Sequence, residues 1–345
     1  MRIIVSLLLV ITQIIARNPD SIGENGMVVS SHKLASQAGI DILKQGGNAI
    51  DAAIATGFAL AVVHPGAGNI GGGGFMVIRL ADGRVTTIDF REVAPSGSYR
   101  DMFLDDSMNV IEGKSLNTSW AAGVPGSVAG FGMAHEKFGS TKWKKLVRPA
   151  VGLAKNGFPL DFQNVMALNH PYYQEYLSND IESRKIFSKQ DPFELNELFY
   201  QKDLAKTLDR ISIAGWQEFY TGKTAEMIET CMQRTDGLIT KEDLEKYHPV
   251  ERKPITFNYR GYEVHSMPPA SSGGVAIAGI LNQLENIHMD SLEYHSAQHI
   301  HYVSEAERRV YADRAEFIGD MDFVPVPIGR LISDNYAKMR WKSVD

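Results

Sequence analysis

GIDILKQGGNAIDAAIATGFALAVVHPGAGNIGGGGF, residues 39–75, carries in one stretch a helix end, a second helix and the entry to a strand. Just upstream, Ala35, Ala38, Ile42 and Leu43 share one face at helical spacing after Ser31. Gly46-Gly47 closes that helix, because a left-handed cap suits a residue without Cβ. Asn48, with Asp51 three residues on, opens the next one. This second helix, Ala49–Val63, is apolar nearly all round. A bilayer span takes about 20 residues, so a helix this short and this apolar belongs inside protein. Gly71-Gly72-Gly73-Gly74 then leads into residues 75–80, apolar on both faces with one Arg. Asp82-Gly83 is a turn signal, and residues 85–90 are rich in β-formers, which predicts a hairpin. Strands of that kind are expected to be covered on both faces, one at least by helices. The expected class is layered α/β.

Working outward, Pro125-Gly126 opens a helix that runs through Phe138 and closes at Gly139. Residues 161–233 are more polar, with helical stretches such as 201–213 and few strand signals. Thr240 with Asp243 has the spacing of a capping box. Residues 254–266 predict paired strands around Arg260-Gly261. Ser271-Ser272-Gly273-Gly274 leads into an apolar helix to about Asn286, and a long helix covers residues 296–317. There is no internal repeat, no low-complexity tract and no clean interdomain linker.

The chain has 345 residues, 44% hydrophobic and 22% charged, which fits a globular protein with a full core. Its length alone suggests about two domains. A formal net charge of −6 argues against nucleic acid as a partner, which would need a basic face. The single cysteine, Cys231, rules out an intrachain disulfide and a zinc site of several thiolates; it reads as a buried or half-buried thiol without a role. Residues 1–16, MRIIVSLLLVITQIIA, have the layout of a secretory signal, cleaved at Ala16 or by about residue 20. Export to a periplasm or the cell exterior follows; the alternative is a membrane anchor formed by the uncleaved signal. Asn117-Thr118-Ser119 matches a glycosylation sequon and is taken as chance.

Four features carry candidate chemistry. The glycine run follows a helix, opens a strand and has no Lys, so it is not a phosphate loop; close backbone packing is the better reading. His295 and His299 stand four apart with His301 nearby, but Ser296 replaces the Glu of a metalloprotease helix, and no metal is assigned. Glu305, Glu307, Asp313 and Glu316 interleave with Arg308, Arg309 and Arg314, the pattern of a solvated or salt-bridged face. Arg91, in Asp89-Phe90-Arg91-Glu92, is by composition a surface charge or the partner of Glu92. A functional role would need a carboxylate ligand, which a guanidinium grips through two parallel hydrogen bonds.

The stretch at 39–75 and IDFREVAP at 88–95 together resemble the large-subunit half of γ-glutamyltransferases, also called glutathione hydrolases. The resemblance continues, in the family's order, through AAGVPGSVAGF (121–131), ITKEDLEKY (239–247), YRGYEVHSMPPASSGG (259–274) and YADRAEFIGD (311–320). It implies the large-subunit part of an N-terminal-nucleophile hydrolase, an αββα sandwich, with residues 26–345 forming an incomplete single domain rather than two. It also implies a zymogen that cleaves itself into a large and a small subunit. The new amino-terminal Thr of the small subunit attacks the γ-glutamyl carbonyl, and the acyl-enzyme passes its group to water or to an amino acid or peptide. No metal or organic cofactor is implied.

On this resemblance Arg91 is the substrate-binding residue, holding the α-carboxylate of the γ-glutamyl group, with Glu92 to orient it. The family's Thr-Thr-His-Tyr cleavage motif has no counterpart here, since Thr86-Thr87 lies in a strand. The nucleophile is therefore expected beyond Asp345, and this chain alone is expected to be inactive. The implied partners are the small subunit, glutathione and other γ-glutamyl compounds, and acceptor amino acids or peptides. The alternatives are a truncated non-catalytic relative serving in binding, a non-functional fragment, or, within the family, a β-lactam acylase or poly-γ-glutamate hydrolase.

Overall fold

The computed structural model describes residues 22–344, which divide into two compact units, each built from two separate stretches of chain. The secretory-signal reading of residues 1–16 lies outside the described residues. One unit joins the chain up to Gly68 with Phe138–Ser212; the other joins Asn69–Lys137 with Ile213–Asp345. Among the described residues no helix is long and apolar enough to cross a membrane.

The first unit is helical. Helix α1, Lys33–Lys44, buries Ala35, Ala38 and Ile42 along the face expected from their spacing. Its N-cap is His32, not Ser31: the imidazole Nδ1 accepts the Leu34 N–H at 3.1 Å. Burial lowers the pKa of His32, which keeps the ring in the neutral form that can accept. Gly46, at φ +89°, ends the helix in the left-handed region.

Helix α2, Ala49–Val63, has the full capping box: Asn48 accepts from the Asp51 N–H and Asp51 from the Asn48 N–H, each at 3.0 Å. It packs against α1 and against the helix Trp143–Asn156, which is why it is apolar all round. Its terminal carbonyls are buried and still satisfied. Gln201 Nε2 donates to Val62 O at 2.7 Å, and Asn164 Nδ2 donates to Val63 O at 3.2 Å.

The second unit contains the predicted hairpin, β1 (Phe75–Arg79) and β2 (Val85–Asp89), in antiparallel register. A third strand, β3 (Val250–Arg252), pairs with the far edge of β2, giving the order β1-β2-β3. β3 was not anticipated; three residues reading Val-Glu-Arg carry no periodic signal. The expectation that both strand faces are covered holds only in part. Ile78 is buried, but Val77, on the opposite face of the edge strand, is 48% exposed among the described residues.

Helix α3, Ser127–Phe138, begins just after Pro125-Gly126 as expected. Strands β4 (Ile255–Tyr259) and β5 (Tyr262–Ser266) form the second predicted hairpin. Arg260 (φ +48°) and Gly261 (φ +84°) both lie in the left-handed region, matching the twist of a two-residue turn. Ile255 and Phe257 pack on Val275 and Ala278 of α4, Gly273–Leu284.

Helix α5, Ala297–Phe317, starts at Ser296 and carries the interleaved charges. Four of the seven form ion pairs among the described residues: Glu305 pairs with Arg308 and Arg309, and Asp313 with Arg340 at 3.2 Å. Cys231 corrects the sequence reading. It is exposed, because the helix Lys223–Arg234 buries Thr224 and Ala225 and turns the Cys231 position outward.

Candidate functional site

The segment leaving β2 is fixed at the backbone of Phe90, Arg91, Val93 and Ser96. Phe90 exchanges two backbone hydrogen bonds with Gly74, Phe90 N to Gly74 O at 3.0 Å and Gly74 N to Phe90 O at 3.3 Å. The Arg91 N–H donates to Asp89 Oδ1 at 3.1 Å, and Arg91 O accepts from Tyr247 Oη at 3.0 Å. Val93 bridges to Val124, and Ser96 N donates to Asp243 Oδ1 at 2.9 Å. Two of the motifs noted in the sequence, 88–95 and 239–247, are therefore packed together. The capping box of Thr240 and Asp243 starts the helix that brings Tyr247 to Arg91.

Both supports of Arg91 are themselves held. Tyr247 is buried and stacks on Tyr220, with ring centroids 5.6 Å apart and planes within 12°. The Tyr220 hydroxyl donates to Pro125 O at 2.9 Å and accepts from Ala129 N at 3.1 Å. Burial pushes the pKa of both phenols up, so both remain neutral donors. Asp89 is buried, and its Oδ2 accepts from Arg252 Nε at 2.8 Å. The remaining Arg252 fork closes on Asp322, Nη1 to Oδ1 at 2.9 Å and Nη2 to Oδ2 at 2.5 Å.

The glycine run has the packing role read from its context. A Cβ on Gly73 would lie 2.6 Å from Phe90 O and 2.9 Å from Arg91 Cα. Gly126 is tighter, with Phe90 O at 2.0 Å and Tyr247 Oη at 2.1 Å from where its Cβ would be. Gly126→Ala is therefore expected to destabilise the chain by about 1–3 kcal/mol and to displace the Arg91 backbone. A thermal melt compared with wild type checks this; an unchanged melting temperature would contradict it.

Against this fixed backbone the Arg91 side chain is exposed, and its guanidinium has no hydrogen bond or ion pair among the described residues. It does not pair with Glu92. What the arrangement offers is a rigidly mounted cation with its donor fork free, suited to a carboxylate-bearing ligand. The sequence pattern singled out Arg91 but not Asp89, Tyr247, Arg252 and Asp322 as the groups that hold its segment.

The histidines form no comparable site. His295 lies flat on Tyr294, centroids 3.8 Å apart, and no group of three or more potential metal ligands occurs among the described residues.

A family model described as gamma-glutamyltranspeptidase matches residues 35–345. The glutathione hydrolase proenzyme of Escherichia coli K12 is 49% identical over 323 residues, covering 93% of this chain and 56% of that protein. The chain thus spans about half the length of the curated relatives it matches. Among solved structures, Helicobacter pylori gamma-glutamyltranspeptidase superposes with a TM-score of 0.92 at 46% identity, covering 95% of this chain and 94% of that one. The Pseudomonas nitroreducens gamma-glutamyltranspeptidase gives 0.87 at 39% identity, covering 94% and 96%. The fold is that of these structures, an N-terminal-nucleophile hydrolase fold of mixed helix and sheet.

Proposed function

The chain belongs to the gamma-glutamyltranspeptidase family, and on that basis we propose that it supplies the carboxylate-binding part of an enzyme acting on glutathione and related γ-glutamyl compounds. The observation that carries this reading is Arg91: an exposed guanidinium without a partner among the described residues, on a backbone fixed at both its N–H and its carbonyl. Its fork takes the α-carboxylate of the γ-glutamyl group and so places the γ-carbonyl at a fixed distance. A small subunit cut from the same precursor provides an amino-terminal Thr. Its Oγ attacks the γ-carbonyl, its α-amine takes the proton, and the leaving amine departs with that proton. The resulting ester is resolved by water, or by the amine of an amino acid or peptide. The apolar run at residues 1–16 supports export to a periplasm or the cell exterior.

The test joins this chain to the C-terminal part of the Escherichia coli relative that it does not match, as one precursor. Self-cleavage into two fragments and hydrolysis of glutathione and of a chromogenic γ-glutamyl anilide are expected, with neither half active alone. A folded, cleaved assembly that turned over β-lactam amides and no γ-glutamyl donor would replace this reading with the acylase one. Cleavage with no turnover of either would overturn it.

A further inference from the structure

We propose that Arg252 and Asp322 are positioning residues for Arg91, acting through Asp89; this rests on the reading of Arg91 just given. The chain of contacts is continuous. Asp322 holds the two terminal nitrogens of Arg252, Arg252 Nε holds Asp89 Oδ2, and Asp89 Oδ1 holds the backbone N–H of Arg91. The two oxygens of the Asp89 carboxylate divide the work, one facing the cation and the other the peptide.

Geometry separates this from an ordinary surface ion pair. The side chains of Arg252 and Asp89 are only 10% and 8% exposed, whereas that of Asp322 is 51% exposed. A buried carboxylate fixed by a single cation swings if the cation loses its other anchor. Asp322 is that other anchor, reached across 70 residues of sequence. All three of Arg252's donor nitrogens are engaged, an arrangement that a lysine's single ammonium cannot reproduce. Arg252 also belongs to β3, so the same residue completes the sheet edge and orients the segment that follows β2.

Asp322→Asn is the informative variant, because its half-exposed side chain leaves the fold intact. In the joined precursor, amide exchange across residues 90–93 is expected to quicken while α4 and α5 exchange as in wild type. In the joined precursor, KM for the γ-glutamyl anilide is expected to rise about tenfold with kcat within about twofold, the weight of one charge-assisted hydrogen bond. Arg252→Lys is expected to behave like Asp322→Asn rather than to restore wild-type values.

Unchanged exchange at residues 90–93 overturns the proposal. So does a lowered melting temperature with KM unchanged, the mark of a purely structural pair. If the wild-type joined precursor turns over no γ-glutamyl donor, the reading of Arg91 fails instead, and exchange alone decides this one.

Discussion

Arg91→Lys in the joined precursor is expected to raise KM for γ-glutamyl donors by about 10- to 100-fold, with kcat within a few-fold of wild type. The direction follows from what is lost. A guanidinium meets a carboxylate through two parallel N–H···O bonds, and an ammonium on a flexible stem keeps the charge but one bond at most. One charge-assisted hydrogen bond is worth about 1.5–3 kcal/mol, which sets the range. The loss falls on KM because the α-carboxylate is distant from the reacting carbonyl and is held alike in ground and transition states. Arg91→Ala should exceed Arg91→Lys. Stability should change by no more than about 0.5 kcal/mol in either, because the side chain is exposed and has no hydrogen-bond or ion-pair partner among the described residues. Steady-state kinetics on the three proteins decide the matter, and an unchanged KM for Arg91→Lys removes Arg91 from the site.

Asp51→Ala is expected to destabilise the chain by about 3–4 kcal/mol, on the order of one kcal/mol for each stranded donor. Asp51 is fully buried. Its carboxylate accepts from Asn48 N, Ser140 N, Ser140 Oγ and Thr141 N, at 2.6–3.3 Å. Removing it breaks the cap of α2 and leaves the Ser140–Thr141 turn without an acceptor. Urea unfolding followed by tryptophan fluorescence is a suitable measure, since Trp143 packs edge-on against Phe58 of α2. A change below about 1 kcal/mol would show that water replaces the carboxylate.

The same residue gives a pH dependence. Burial alone would raise the Asp51 pKa, but hydrogen bonds from Ser140, Asn48 and Thr141 outweigh it and hold the carboxyl below its ordinary 3.8. A carboxyl depressed on folding contributes stability above its unfolded pKa and loses it as pH falls through the folded one. Wild type should therefore lose stability on acidification below about pH 4, and Asp51→Asn should lose less over that window.

What was legible in the sequence was local. Asn48 with Asp51, and Thr240 with Asp243, announced two helix starts because a capping box is complete within four residues. Asp82-Gly83 and Arg260-Gly261 announced two hairpins for the same reason. The role proposed for Arg91 came only through the resemblance, since a lone arginine after a strand carries no mark of a function. Its supports were silent: Tyr247 lies 156 residues from the carbonyl it holds, and Arg252 lies 163 from Asp89. Neither distance leaves a periodicity. Cys231 was misread because burial of a helix face depends on what packs there, and that helix turns only a narrow strip inward.

The division of each unit between two stretches of chain bears on synthesis. As the polypeptide is delivered from its amino terminus onward, β1 and β2 emerge early, but the Thr87–Arg252 pairing that completes their sheet waits for 165 more residues. The stretches that make up the first unit are complete by Ser212, ahead of that pairing. Contacts so far apart in sequence slow folding and prolong the life of open strand edges. The nascent hairpin must therefore stay soluble with β2 unpaired on one side while about a hundred and sixty residues are still being added, roughly 10–30 s at ordinary elongation rates. A chain that ended before Val250 would leave that edge permanently open.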